Sequence, residues 1–144
     1  MQKQLIATLI CCAFVASCAS ETQKPSMPDL LKTEWLLEDL AGKGVLDRAQ
    51  ATLAFPEPNK VAGNGSCNRF FGAVQINGAA IKFGNLASTR MACLRVAVAN
   101  QEANYLKALQ NAEKLSFDAP YLLIYSQGLD QPLRFTQIIR HGKP

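Results

Sequence analysis

The sequence predicts an α+β domain: a curled antiparallel β-sheet, partly open and barrel-like, of about seven to eight strands with one main α-helix packed on it. Three observations predict it. Short apolar segments alternate with Asn-Gly, Gly and Pro turn signals along most of the chain. One segment, residues 95–111, carries apolar side chains at helical spacing. No strand–helix–strand alternation occurs, which argues against a parallel nucleotide-binding sheet.

The elements follow in order. Residues 29–33 form a short turn, and residues 35–40 (WLLEDL) read as a strand closed by Gly42 and Gly44. Residues 51–55 (ATLAF) make a second strand, stopped by Pro56 and Pro58. Residues 61–63 give a short third strand before the Asn64-Gly65 turn. Residues 69–76 (RFFGAVQI) and 80–83 pair across Asn77-Gly78. Residues 86–93 (LASTRMAC) break the strand rhythm. In the helix, Val98, Ala99, Glu102, Ala103, Tyr105, Leu106 and Leu109 fall at helical spacings. Residues 114–117, 121–125 and 132–138 finish the chain as strands, with Pro120 and Gln127-Gly128 at the turns.

The first residues read as an address. Lys3 precedes a charge-free apolar run over residues 5–15, too short for an ordinary membrane span. Val15-Ala16-Ser17-Cys18 then resembles the bacterial lipobox, in which the cysteine thiol takes a diacylglycerol and the chain is cut before it. A plain secretory signal is the alternative. Residues 1–17 are assigned as signal peptide, 18–30 as lipidated cysteine and tether, and 31–140 as the domain. Ala19 in place of Asp resembles lipoproteins of the outer membrane facing the periplasm. Several acyl chains anchor firmly where one anchors marginally.

Composition narrows the function. A chain of 144 residues suits one domain, and a net charge of +4 without a basic stripe gives no nucleic-acid role. The single histidine, His141, argues against histidine-based catalysis and metal sites. No metal, cofactor or catalytic residue is expected. Of five cysteines, Cys67 and Cys93 remain after the leader and Cys18. One pair in an oxidising compartment favours a disulfide, worth roughly 3–4 kcal/mol by chain entropy. Free thiols and a redox pair are the alternatives, the latter without C-x-x-C spacing.

Four segments line up with a known family. Trp35-Leu36-Leu37 opens the domain, and residues 65–72 (GSCNRFFG) follow a strand. Residues 87–93 (ASTRMAC) precede a helix carrying Glu102 and Leu106, and Leu122-Leu123-Ile124-Tyr125 lies near the end. Together they resemble the META domain of HslJ-type heat-inducible envelope lipoproteins. Ser66 stands where that family more often has Gly. The resemblance implies a mixed antiparallel fold, an envelope location, a loose link to stress or antibiotic tolerance, and no established enzymatic activity. The fold also resembles pilot lipoproteins, which bind a pore subunit or an acyl chain in a cracked barrel.

The candidate site residues are Cys18 for lipid, the Cys67 and Cys93 pair, and Arg69, Arg90 and Arg95 as an anion- or partner-binding cluster. The plainer reading pairs these arginines with local carboxylates or carbonyls. Asn68 and Thr89 are expected to satisfy loop backbone groups. Phe70, Phe71 and Phe83 either line an acyl pocket or pack the core. Adjacent Phe70 and Phe71 must point to opposite faces. The expected protein is a monomeric, non-catalytic envelope lipoprotein, attached to the membrane and acting through a protein partner or in stress tolerance. The rival is a carrier or sensor that binds a small amphiphile or acyl chain between sheet and helix.

Overall fold

The computed structural model describes residues 28–139. The leader, Cys18, residues 19–27 of the tether and His141 lie outside the described residues. The strands are β1 (Glu34–Leu40), β2 (Thr52–Ala54), β3 (Lys60–Asn64), β4 (Arg69–Asn77), β5 (Ala80–Phe83) and β6 (Ala87–Ser88). The helix α1 (Val96–Gln110) follows, then β7 (Ala112–Asp118), β8 (Tyr121–Ser126) and β9 (Leu133–Gln137).

The strands run in the order β3-β2-β1-β9-β8-β7-β5-β4, every pairing antiparallel, and β4 returns to β3. That closing seam is a full ladder from Lys60↔Ala73 to Asn64↔Arg69. The expected partly open sheet is therefore a closed eight-stranded barrel. The tight turn after Asn64 zips β3 and β4 together, and closure leaves no free edge between them. A second correction concerns residues 86–93. Ala87 and Ser88 form β6, which continues β5 along β4 and pairs with Phe71 and Phe70. Gly72 makes room for this detour, since a Cβ there would meet the Asn85 carbonyl and the Leu86 side chain at 2.9 Å each.

Alternation sends one face of each strand inward. Trp35 and Leu37 of β1, Leu53 of β2, Val61 of β3, Phe70 and Val74 of β4, and Ile81 and Phe83 of β5 are buried. Leu115, Leu122, Ile124, Leu133 and Phe135 complete the lining. Eight strands enclose a space that side chains just fill. Among the described residues the core runs from Leu30 to Phe135.

The chain path places α1. It connects the end of β6 to the start of β7, and both lie at the barrel end where β1, β3 and β8 finish. The helix therefore crosses that mouth. Its buried residues are Gln101, Glu102, Tyr105, Ala108 and Leu109, a single helical stripe. Tyr105 reaches deepest. Its ring meets Phe70 at 5.9 Å and Phe135 at 6.2 Å, and its hydroxyl donates to the Thr52 carbonyl at 3.1 Å. The opposite end holds Pro28–Thr33, where Trp35 Nε1 donates to Thr33 Oγ1 at 2.8 Å.

Burial pushes the Tyr105 phenol well above the ordinary tyrosine value. The folded state thus holds its proton where the unfolded chain releases it, so stability is full below the ordinary tyrosine pKa and falls as pH rises past it. Tyr105→Phe should remove part of that alkaline loss. Tyr105→Ala should lower stability by about 3–5 kcal/mol at neutral pH, read by urea unfolding.

Candidate functional site

The helix-capped end is built around two buried polar side chains. Glu102, 8% exposed, points from α1 into the turn between β3 and β4. Its Oε2 accepts the backbone N–H of Cys67 at 3.0 Å and of Asn68 at 2.6 Å. Its Oε1 accepts the Asn68 side-chain amide at 2.8 Å. Asn68 then turns its Oδ1 to the next segment, accepting Thr89 Oγ1 at 2.9 Å and the Met91 N–H at 2.7 Å. Turn, loop and helix thus meet in one network.

Three further features fix the network. The Cys67–Cys93 disulfide joins the same turn and loop, with Cα atoms 5.9 Å apart. Gly65 lies so close to Glu102 that a Cβ would stand 2.7 Å from Oε2. Gln101, next to Glu102, donates to the Ala49 carbonyl and to Ser66 Oγ, both at 2.8 Å, and accepts the Leu46 N–H at 2.7 Å. This fastens the β1–β2 loop to the same end. Asn68 and Thr89 therefore do satisfy loop groups, as expected. Helical spacing and the family resemblance both name Glu102, but neither gives its role, because apolar periodicity does not tell what a buried carboxylate accepts.

Ser66 has a φ of 103°, a backbone region that glycine favours. The family's usual glycine at this place therefore has a physical reason. Ser66 offsets part of the strain through its bond from Gln101.

The three arginines surround the disulfide. Arg69 begins β4, and its backbone is held to Thr89 in both directions, at 3.2 and 3.0 Å. Arg90 follows Thr89 directly, and Arg95 caps α1 without a side-chain cap bond. All three are exposed, and none makes an ion pair among the described residues. The plainer expectation, pairing with local carboxylates, is not what the structure has. The reason is visible in the sequence, since residues 58–101 contain no Asp or Glu. The first turn of α1 also lacks an acid, so its partial positive charge adds to the arginines. Met91, 63% exposed, and Leu94, fully exposed, lie between Arg90 and Arg95 in the chain, and Val96, 76% exposed, follows Arg95.

The phenylalanines divide as strand geometry requires. Phe70 and Phe83 are core, while Phe71 is 61% exposed on the outer face of β4. Gly63 stands opposite Phe70, and a Cβ there would strike its ring and the Thr52 carbonyl. The carboxylates of β1 are structural: Asp39 accepts the N–H groups of Gly42 and Gly44, and Glu38 accepts Thr136 Oγ1 at 2.7 Å.

Removing Glu102 strands several buried donors at once. Glu102→Ala should lower stability by about 3 kcal/mol or more in urea unfolding, with Glu102→Gln milder. At Ser66 the strain and the hydroxyl bond oppose each other. Ser66→Gly should raise stability by about 1 kcal/mol, whereas Ser66→Ala keeps the strain, loses the bond and should lower it.

The comparisons with known proteins agree with this architecture. The META domain model matches residues 28–138. No curated protein matches the chain. Among solved structures, the chain is similar to a protein from Burkholderia xenovorans solved by NMR, at 21% identity and a TM-score of 0.62, covering 97% of this chain and 100% of that one. A second NMR structure is 24% identical with a TM-score of 0.59, covering 73% of this chain and 88% of its own. A DUF4847 family crystal structure from Bacteroides vulgatus is 15% identical with a TM-score of 0.56, covering 81% and 96%. These likenesses bear on the fold alone. By its family match over nearly the whole described domain, the chain belongs to the META domain family.

Proposed function

We propose that this META domain protein is a non-catalytic envelope lipoprotein, held to a membrane through Cys18, that acts by surface contact. The observation that carries the contact reading is the filled interior. Tyr105, Leu109, Leu115, Leu122, Ile124, Leu133 and Phe135 have no exposure at all and occupy the space between sheet and helix. A carrier of an acyl chain needs a cavity of several hundred Å3 there. An open cleft of about 430 Å3 does lie at the far end of α1, beside Lys107, Asn111 and Gln127, but on the surface. The buried carboxylate, Glu102, is engaged by backbone and amide donors. That occupation favours a structural role over an acid–base one.

Support for the anchor is the lipobox-like Val15-Ala16-Ser17-Cys18 after a short apolar run. Ala19, where lipoproteins kept at the inner membrane have Asp, supports the outer-membrane, periplasm-facing location.

Two measurements test the reading. Radioactive fatty acid should label the full chain and fail to label Cys18→Ala. Label retained by that variant removes the anchor. Native mass spectrometry of the domain released from membranes should give the bare sequence mass. Excess mass that leaves on denaturation would restore the carrier.

A further inference from the structure

We propose that the loop between β6 and α1, together with the first turn of α1, docks onto an anionic lipid bilayer, with Met91, Leu94 and Val96 entering the interface and Arg69, Arg90 and Arg95 meeting lipid phosphates. This rests on the reading of the protein as one that acts by contact, and names the contact.

The loop has the composition of a bilayer-docking element. Its apolar side chains are held out in solvent: Leu94 is fully exposed and Met91 and Val96 largely so. Two of them lie in the loop and Val96 opens α1, so three exposed apolar residues fall within six positions as a local apolar tip, unlike singly scattered surface residues. Cations bracket the tip, and the acid-free run of residues 58–101 leaves no carboxylate of that stretch to repel phosphate. Phe71, exposed on β4 two residues beyond Arg69, extends the apolar surface.

Shape favours a bilayer over a protein. The tip is a projecting loop, and a bilayer accepts a projection without a matching cavity. The loop is also stiff. The disulfide at Cys93 and the Met91 bond to Asn68 hold it from beneath, so little order is lost on docking.

Reach allows it. The loop lies at the barrel end opposite Pro28, where the chain toward Cys18 begins. Nine residues of any chain, the number between Cys18 and Pro28, reach at most about 30 Å. The nine residues of β4 span about 30 Å as well. A domain anchored at Cys18 can therefore turn its far end to the same bilayer, or meet a facing one.

The test uses lipid-free residues 21–144, which keep all of the core seen among the described residues, Leu30 to Phe135. The protein is sedimented with vesicles of phosphatidylglycerol and phosphatidylcholine in equal parts, and with phosphatidylcholine alone. Binding is expected to the anionic vesicles and to weaken with salt. Arg90→Gln and Arg95→Gln should each weaken it about fivefold. Leu94→Asn should weaken it about tenfold. Lys107→Gln, at the other end of α1, should leave it unchanged, and circular dichroism should confirm that all variants fold. No binding to anionic vesicles, or binding indifferent to Leu94 and the arginines, overturns the proposal. A photocrosslinker at position 94 that joins only protein in the envelope, with no vesicle binding, overturns it in favour of a protein partner. In those cases the contact reading still stands, because it falls only to a ligand in the native mass spectrum.

Discussion

Three pieces of chain distant in sequence meet at Asn68 and Glu102, and the helix-capped end depends on that meeting. Glu102 takes three donors from the β3–β4 turn, and Asn68 passes the linkage on to Thr89 and Met91. Each bond alone is worth little net of water, but a buried donor left without its acceptor is expensive. The arrangement therefore behaves as a unit. Its place in the barrel matters too. The β3–β4 ladder is the seam that closes the sheet, and it ends at the turn that Glu102 grips. Closure and helix position are thus secured by the same side chains.

The helix stripe completes what the turn begins. Tyr105 and Leu109 fill the mouth while Gln101 and Glu102 bind the loops around it. A barrel of eight strands has an interior that side chains can fill or that can hold one small ligand. With an aromatic ring from the helix lodged against Phe70 and Phe135, that room is taken. What remains available for recognition is the outside, and the outside is uneven. The span from β3 to the start of α1 carries cations without acids. Further round the barrel, β7 carries both signs in Glu113, Lys114 and Asp118.

Much of this was legible in the sequence, for physical reasons that vary by element. Strands β1, β4, β8 and β9 announce themselves by alternation between firm turn signals, and α1 by its spacing. Phe70 and Phe71 had to part because adjacent strand residues face opposite ways. Barrel closure was not legible, since pairing of β3 with β4 along its full length depends on register, and a five-residue strand containing glycine signals register weakly. The two residues of β6 escaped because pairing that short leaves no periodicity. The role of Glu102 escaped for a different reason. A buried carboxylate is readable only through the donors aimed at it, and these come from a turn more than thirty residues away. The arginines are legible as cations near the two cysteines, and the acid-free run of residues 58–101 already implies that they lack carboxylate partners close in sequence.

The disulfide and the polar network duplicate each other, and that duplication calls for a cause beyond stability. Both join the β3–β4 turn to the loop before α1. A loop needed only as a connection could be polar and loosely held, as most surface loops are. This one is doubly restrained and still carries leucine and methionine outward, with Val96 following at the start of α1. Exposed apolar side chains gain nothing from folding, so the restraint serves their presentation rather than their burial. Holding them in place lowers the entropy lost when they are finally covered. The same network that steadies the fold thereby prepares a surface, and a single buried carboxylate on α1 links the two.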